Sequence, residues 1–160
     1  MRVDRRAARV LLIADDSVLL IRGVDPARRE AGTWWHTPGG GIDDGESIEA
    51  AAVREVLEET GHLLSTGDIG PVIATRTAEF EFQHVEYRQH EWFFAVRVAR
   101  FDPRADRWDE SERRSLLEHR WWALDDLTST ADAMYPAELA TLVRAVLEGS
   151  IPAPLQLSGR

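Results

Sequence analysis

The spacing of apolar residues differs between segments of the chain, and it predicts strands in some segments and helices in others. Residues 8–13 and 18–21 are apolar runs separated by a short polar segment at 15–17, which predicts a β-hairpin. Residues 72–82 and 91–98 are rich in β-branched and aromatic side chains, which favours strands. Further short strands are predicted at residues 34–37 and 119–123.

Two segments have the 3.6-residue period of amphipathic helices. The first covers residues 47–60, with Ser47 as the predicted N-cap and Gly61 as the predicted stop. The second covers residues 136–147 and precedes Gly149. The apolar stripe of the first helix consists of Ala52, Val53, Val56 and Leu57.

The order of hairpin, loop, helix, strands and helix indicates one α+β domain. Strands joined mainly by hairpins, with helices packed outside them, predict a mixed β-sheet in an α-β-α sandwich. No internal repeat or linker divides the chain, so residues 1–150 are expected to form a single domain. Residues 151–160 contain two prolines and are expected to form a flexible tail.

Composition and charge narrow the classes of function. The 160 residues include no cysteine, which excludes disulfides, thiolate catalysis and cysteine-bound zinc. Nineteen basic against 28 acidic residues give a net charge of −9, so nucleic acid and anionic membranes are unfavourable partners. A small anionic ligand stays compatible, because a bound metal can invert the local field. With no long apolar stretch near residue 1, we expect a soluble cytoplasmic protein without a membrane span.

Three glutamates on the first helix are the main candidates for chemistry. Glu55, Glu58 and Glu59 are three and four residues apart, so they share one face, roughly opposite the apolar stripe. Like charges at this spacing destabilise a helix by roughly 0.2–0.5 kcal/mol per pair, which favours a neighbouring cation. The alternative is a solvated acidic face. Arg54 is placed to pair with a carboxylate such as Glu46 and to orient it.

A divalent metal would suit this arrangement. Mg²⁺ and Mn²⁺ prefer oxygen ligands, and Mg²⁺ usually completes its shell with water and substrate phosphates. The glycine turn at residues 38–41 adds backbone oxygens and lets a ligand approach closely. These features predict metal-assisted hydrolysis of a phosphoanhydride bond, which requires mainly positioning and charge neutralisation from the protein.

Residues 40–62 resemble the signature box of the Nudix hydrolases. The matching residues are Gly40, Glu46, Arg54, Glu55, Val56, Glu58, Glu59 and Gly61. His62 stands where an aliphatic residue is usual, in a position that is structural in the family. Since many positions are fixed together, the resemblance is specific. It implies a Nudix-like α-β-α sandwich and a Mg²⁺-dependent or Mn²⁺-dependent hydrolase.

The resemblance also implies roles for individual residues. Glu58 and Glu59 would be the principal metal ligands, and the Gly40 carbonyl would join them. Glu55 would bind metal or act as general base, while Arg54 and Glu46 would form a structural pair. One further carboxylate usually comes from outside the box in this family, and for it we favour Glu112, with Glu110 as second choice.

The expected substrate is a small nucleotide in which a nucleoside diphosphate is linked to another group. The alternative is a catalytically silent nucleotide-binding domain, although every acidic position of the box is intact. A third interpretation is a structural or interaction domain with no metal effect on stability. Nucleic acid and membrane are not expected as partners, and a homodimer is compatible with the sequence. Most tryptophans are expected in the core, and one could stack on a nucleobase.

Overall fold

The computed structural model describes residues 1–159, which contain nine strands and four helices. The strands are β1 (Arg2–Ala14), β2 (Ser17–Val24), β3 (Thr33–His36), β4 (Gly39–Gly41), β5 (Ala74–Phe82), β6 (Val85–Arg97), β7 (Leu116–Ala123), β8 (Met134–Tyr135) and β9 (Leu155–Gln156). The helices are α1 (Ile48–Thr60), α2 (Glu110–Ser115), α3 (Leu124–Ser129) and α4 (Leu139–Glu148).

The strands form one mixed sheet in the order β8-β3-β2-β1-β6-β5-β9, with β4 paired to β1 and β7 paired to β2. The central contact is parallel and joins β1 to β6, from Arg2 opposite Glu86 to Ile13 opposite Arg97. Most other neighbours are antiparallel, including the predicted β1–β2 hairpin. The α+β class with a mixed sheet is therefore confirmed.

Helices cover both faces of the sheet, because the alternation of side chains along β1 supplies two cores. Val10 and Leu12 pack with α1 on one face. Leu11 and Ile13 pack with α3 and α4 on the other face. The predicted α-β-α sandwich follows from this alternation.

Helix α1 begins and ends where the sequence predicts. The Ser47 hydroxyl accepts a hydrogen bond from the Ala50 amide at 3.0 Å, which caps the first turn. Gly61 ends the helix in the left-handed region, at φ +77°, and its amide donates to the Leu57 carbonyl. At 13 residues α1 is the longest of the four helices, and none in residues 1–159 combines the length and apolarity that a membrane span requires.

Two segments rich in charged residues belong to regular elements. The arginine-rich residues 2–9 are part of β1, and their backbone pairs with β6. The charged residues 102–112 include the start of α2. There the Asp109 carboxylate accepts from the Glu112 amide at 2.7 Å, and the Glu112 carboxylate accepts from the Asp109 amide at 3.0 Å.

Part of the C-terminal segment, predicted as a flexible tail, pairs with the sheet. In β9, Leu155 and Gln156 pair in parallel with Ala74 and Thr75 of β5. Leu157 is 8% exposed and packs into the core that contains α4. A strand partner and an apolar anchor therefore hold the described part of residues 151–160 on the domain, while residue 160 lies outside the described residues.

We expect Leu157→Ala to lower the free energy of unfolding by about 2–3 kcal/mol, because it removes a buried side chain and leaves a cavity. Leu155→Ala is the matched control on the same strand. Its side chain is 36% exposed, so the change should stay within about 0.5 kcal/mol. Urea denaturation measures both values. Equal midpoints for wild type and Leu157→Ala would show that the segment does not contribute to the core.

Candidate functional site

The site is built where α1 packs against the glycine strand β4. A Cβ atom on Gly40 would lie 2.7 Å from the Glu55 carboxylate. At Gly39, φ is +150° and a Cβ atom would lie 2.1 Å from the Ala8 carbonyl oxygen. Only glycine therefore allows the strand, β1 and the glutamate to come this close.

Three carboxylates meet beside this strand. One oxygen from each of Glu55, Glu59 and Glu112 lies within 4.8 Å of the others. Glu55 is 8% and Glu59 is 5% exposed, and the Glu59 carboxylate accepts a hydrogen bond from the Gly39 amide at 3.4 Å. The acidic face of α1 is thus largely covered by β4 and the α2 region, rather than lying open opposite the apolar stripe.

Burial makes these carboxylates hard to ionise together. It raises the pKa of Glu55 to about 7, against the favourable charge of Arg54. It also raises the pKa of Glu59 well above its ordinary value, and the charge of Glu55 adds to the rise. The pKa of Glu112 is raised by burial as well. The three carboxylates offer hard oxygen donors whose combined negative charge the neighbouring arginine does not balance. This donor set fits a divalent cation.

Arg54 and Glu46 form the ion pair that the sequence predicts. The Arg54 Nε and Nη2 atoms each donate to one Glu46 carboxylate oxygen, both at 2.9 Å. This pairing with Arg54 lowers the pKa of Glu46 to about 2. Arg54 also donates to the Gly41 carbonyl at 2.8 Å and to Glu55 Oε1 at 2.9 Å, so it ties β4 to α1.

The remaining predicted ligands occupy different positions. The Glu58 side chain is 41% exposed, and its carboxylate lies 3.4 Å from Arg54 Nη1, outside the group of three. Its charge nevertheless contributes to the raised pKa values of Glu55 and Glu112. Glu110 is exposed in the first turn of α2. Of the two candidates outside the box, the structure brings Glu112 to the cluster.

Two further side chains fix Glu59, and sequence patterns did not reveal them. Trp108 Nε1 donates to the Glu59 carbonyl at 2.9 Å. His119 Nε2 lies 2.7 Å from the same oxygen and donates to it as the Nε2-protonated tautomer. These residues are 49 and 60 positions from Glu59, so no local spacing connects them.

A cleft of about 780 Å³ adjoins the site and has aromatic walls. Trp34 and Tyr135 line one part of it, with ring centroids 6.4 Å apart. Phe80 and Tyr87 line another part as a stacked pair, at 5.4 Å. The volume lies within the usual range for small-molecule sites, roughly 300–1,000 Å³.

Other aromatic residues have structural positions. Trp35 and Trp122 are buried in the core in an edge-to-face arrangement, with ring centroids 5.2 Å apart and an interplanar angle of 76°. His62, the one departure from the signature box, stacks on Phe101 at 4.2 Å, so an aromatic contact fills the aliphatic position. Burial and the charge of Arg9 lower the pKa of His36 to about 4, which keeps this cleft residue neutral.

Comparisons with known proteins agree with this geometry. The family model described as NUDIX domain matches residues 3–145. A NUDIX hydrolase from Nitrosomonas europaea has 22% sequence identity and a TM-score of 0.61, covering 93% of this chain and 92% of that one. At this identity the likeness shows the fold.

Sequence relatives match over a shorter stretch. An RNA pyrophosphohydrolase from Wolbachia pipientis wMel is 56% identical over 34 residues, which is 21% of either chain. A candidate 8-oxo-dGTP diphosphatase from Bacillus subtilis is 68% identical over 28 residues, covering 18% of this chain and 19% of the relative. The matched part thus spans about a fifth of these curated relatives.

We expect Glu46→Gln to be less stable than wild type at pH 7, by about 1–2 kcal/mol, because it loses a charge-assisted pair with Arg54. The pKa of Glu46 is lowered in the folded state, so its contribution is complete above pH 4.5. It should decline as the pH falls from 4.5 through about 2, and the two proteins should converge. Denaturation at several pH values in metal-free buffer measures this. Asp44→Asn, an exposed change in the same loop, is the control, and a difference that persists at pH 2 would contradict the assignment.

Proposed function

The chain belongs to the Nudix hydrolase family, and from this premise we propose that it hydrolyses a phosphoanhydride bond in a nucleoside diphosphate derivative. The cofactor in this proposal is Mg²⁺ or Mn²⁺. The observation that carries it is the meeting of Glu55, Glu59 and Glu112 within 4.8 Å beside a glycine strand. The alternative, a solvated acidic helix face, would leave these carboxylates in water, whereas Glu55 and Glu59 are buried.

The proposed metal ligands are the carboxylates of that group together with Glu58 and the carbonyl of Gly40. Buried oxygen donors with raised pKa values gain from a divalent cation, which replaces the protons they would otherwise retain. When bound, the metal would supply charge neutralisation for the phosphates and activation of water. Arg54 and Glu46 would keep β4 and α1 in register, so that the donors stay in place.

The alternative role of Glu55 is that of general base, which would accept the proton of the attacking water. Oε1 is held by Arg54 at 2.9 Å, which leaves Oε2 as the atom that would take the proton. Glu59 and Glu112 would bind the metal beside Glu55. Trp108 and His119 fix Glu59 through its backbone carbonyl.

The substrate would occupy the aromatic-walled cleft. Trp34, Phe80 and Tyr87 offer surfaces for a planar base. The names of the relatives point to RNA or 8-oxo-dGTP as substrates, although their matches cover only about a fifth of this chain. The net charge of −9 supports a small nucleotide rather than a long RNA. The homodimer and the cytoplasmic location stay predictions.

A silent nucleotide-binding domain is the competing function. It shares the fold and the cleft but needs no complete acid set, whereas this chain has all the acidic positions of the box. A panel of nucleoside triphosphates, dinucleoside polyphosphates, nucleotide sugars and 5′-triphosphate RNA, incubated with Mg²⁺ or Mn²⁺, tests both functions. Release of phosphate species supports hydrolysis. Binding at saturating metal without product would support the silent domain.

Metal binding to the folded protein should raise its stability. At a free Mg²⁺ or Mn²⁺ concentration of 100 Kd, the gain is about 2.7 kcal/mol by mass action. We expect Glu112→Gln to reduce this gain, because one ligand loses its charge while the amide oxygen can still cap α2. Glu110→Gln is the matched control in the same helix. Thermal denaturation with and without metal measures the effect, and equal loss in both variants would reject Glu112 as the ligand.

Glu59→Gln should lower kcat by about 10²–10⁴-fold or more while the fold is retained, because the buried ligand charge is lost. Steady-state kinetics on the best substrate of the panel, with circular dichroism as the folding check, measures this. Glu49→Gln, on the same helix but outside the carboxylate group, is the control. Full metal-dependent turnover by Glu59→Gln would reject the proposed centre.

A further inference from the structure

The floor of the cleft contains more positive than negative charge. Arg9 Nε donates to Glu91 at 2.9 Å, and Arg76 Nη1 donates to the other oxygen of the same carboxylate at 2.6 Å. The side chains of Glu91, Arg76 and Arg9 are 3%, 9% and 15% exposed. One buried carboxylate thus faces two guanidinium groups. The floor is assembled from β1, β5 and β6, far from the signature box in sequence.

Arg5 adds a third guanidinium with no carboxylate of its own. Its Nε donates to the Gln89 side-chain oxygen at 2.6 Å, and the Gln89 amide nitrogen donates to Glu91 at 3.1 Å. Gln89 is 1% exposed, so this bridge is fixed. No hydrogen bond joins Arg5 Nη1 or Nη2 to any residue from 1 to 159, and Arg5 lines the cleft above the Tyr87 ring.

The three guanidinium groups and one carboxylate leave an excess of two positive charges. Buried charges are usually paired, and burial and the charge of Arg9 lower the pKa of Arg5. The other carboxylates that line the cleft have partners of their own. Glu79 pairs with Arg2, Arg28 Nε lies 3.5 Å from both Asp25 and Glu81, and Asp25 also accepts from the backbone amides of residues 27 and 83. Glu55 and Glu59 attract Arg9 from the other side of β4, and a bound divalent cation would cancel that attraction.

We propose that Arg5, Arg9 and Arg76 bind a phosphate group of the substrate other than the two phosphates joined by the cleaved bond. This inference rests on the proposed function. A terminal phosphate group carries about −1.5 to −2 charges at neutral pH, which matches the excess on the floor. Guanidinium groups bind phosphate oxygens in bidentate fashion, and Arg5 has two terminal nitrogens available. The substrate class is therefore a nucleotide with a third phosphate.

That phosphate can come from two sources. It can continue the chain, as in a nucleoside triphosphate, or it can be an ester on the attached group, as in a 2′-phosphorylated dinucleotide. The kinetic test compares each of these with its counterpart lacking the phosphate, a nucleoside diphosphate and an unphosphorylated dinucleotide, in Mg²⁺. One substrate pair identifies the source. In that pair, wild type has a higher kcat/KM for the phosphorylated member than for its counterpart, and Arg5→Gln abolishes this difference.

Arg6→Gln is the matched control, because Arg6 is exposed and neighbours Arg5 on the strand. We expect Arg5→Gln to lower kcat/KM for the phosphorylated substrate about tenfold or more, and Arg6→Gln to change it less than twofold. Arg5→Lys keeps the charge without the bidentate geometry and should fall between them. Equal effects of Arg5→Gln and Arg6→Gln, or an equal loss for both members of each substrate pair, would overturn the proposal.

A binding measurement separates this proposal from the proposed hydrolysis. Calorimetry with inorganic tripolyphosphate and pyrophosphate, at low salt in EDTA, requires neither metal nor turnover. Without metal, a terminal phosphate of either ligand can occupy the arginine group, so wild type should bind both. Arg5→Gln should weaken this binding severalfold and Arg6→Gln less than twofold, while the melting temperatures of the two variants stay close. If no substrate is cleaved but binding depends on Arg5, the hydrolase proposal fails and the phosphate site stands. No binding by wild type, or equal weakening in both variants, would overturn the site.

Discussion

The burial of Glu55 and Glu59 against the glycine strand β4 is the constraint on which the rest of the site depends. Burying an unpaired carboxylate in the interior is unfavourable, and burying two adjacent carboxylates costs more free energy because their charges repel. In the structure both side chains are nevertheless less than 10% exposed, and a Cβ atom on Gly40 would collide with Glu55. A cation that completes the site would offset the cost of burying the two carboxylates. This cost also explains why contacts from the neighbouring elements hold α1 so strongly.

Those neighbouring elements act together on α1. Arg54 joins the helix to the turn through Glu46 and to β4 through the Gly41 carbonyl. At the C-terminal end of the helix, Trp108 and His119 hold the Glu59 carbonyl. These contacts, at the middle and at the end of α1, oppose a rotation that would release its acids into solvent. The electrostatic strain is therefore retained in the folded state, where a metal can relieve it.

Positive and negative charge are arranged on the two sides of the same short strand. Arg9 donates to the Gly39 carbonyl at 3.0 Å, while Glu59 accepts from the Gly39 amide at 3.4 Å. The guanidinium and the carboxylate thus share one glycine, and neither contacts the other directly. This layout suits a ligand that is anionic along its length and is bridged to the carboxylates by a cation, as a phosphate chain would be.

The sequence predicted those parts of the fold whose causes are local. The caps of α1, the β1–β2 hairpin and the Arg54–Glu46 pair each follow from residues within a few positions of one another. It did not predict the covered acidic face, because burial is decided by β4 and α2 together. The Glu112 assignment came from family resemblance, and the packing of α2 explains why that residue, rather than Glu110, meets the helix.

The cleft could not be predicted for the same physical reason, and this bears on how its specificity arises. Arg5 meets Gln89 across 84 positions and Arg9 meets Glu91 across 82, in the register of a parallel strand pair that no local pattern encodes. The C-terminal segment lies beyond the family match yet contributes too, because the Ser158 carbonyl accepts from Arg76 Nε at 3.0 Å. The signature box can thus determine the reaction while strands far from it determine which phosphate compound is accepted. Similarity confined to the box then carries information about the bond cleaved and little about the group attached to it.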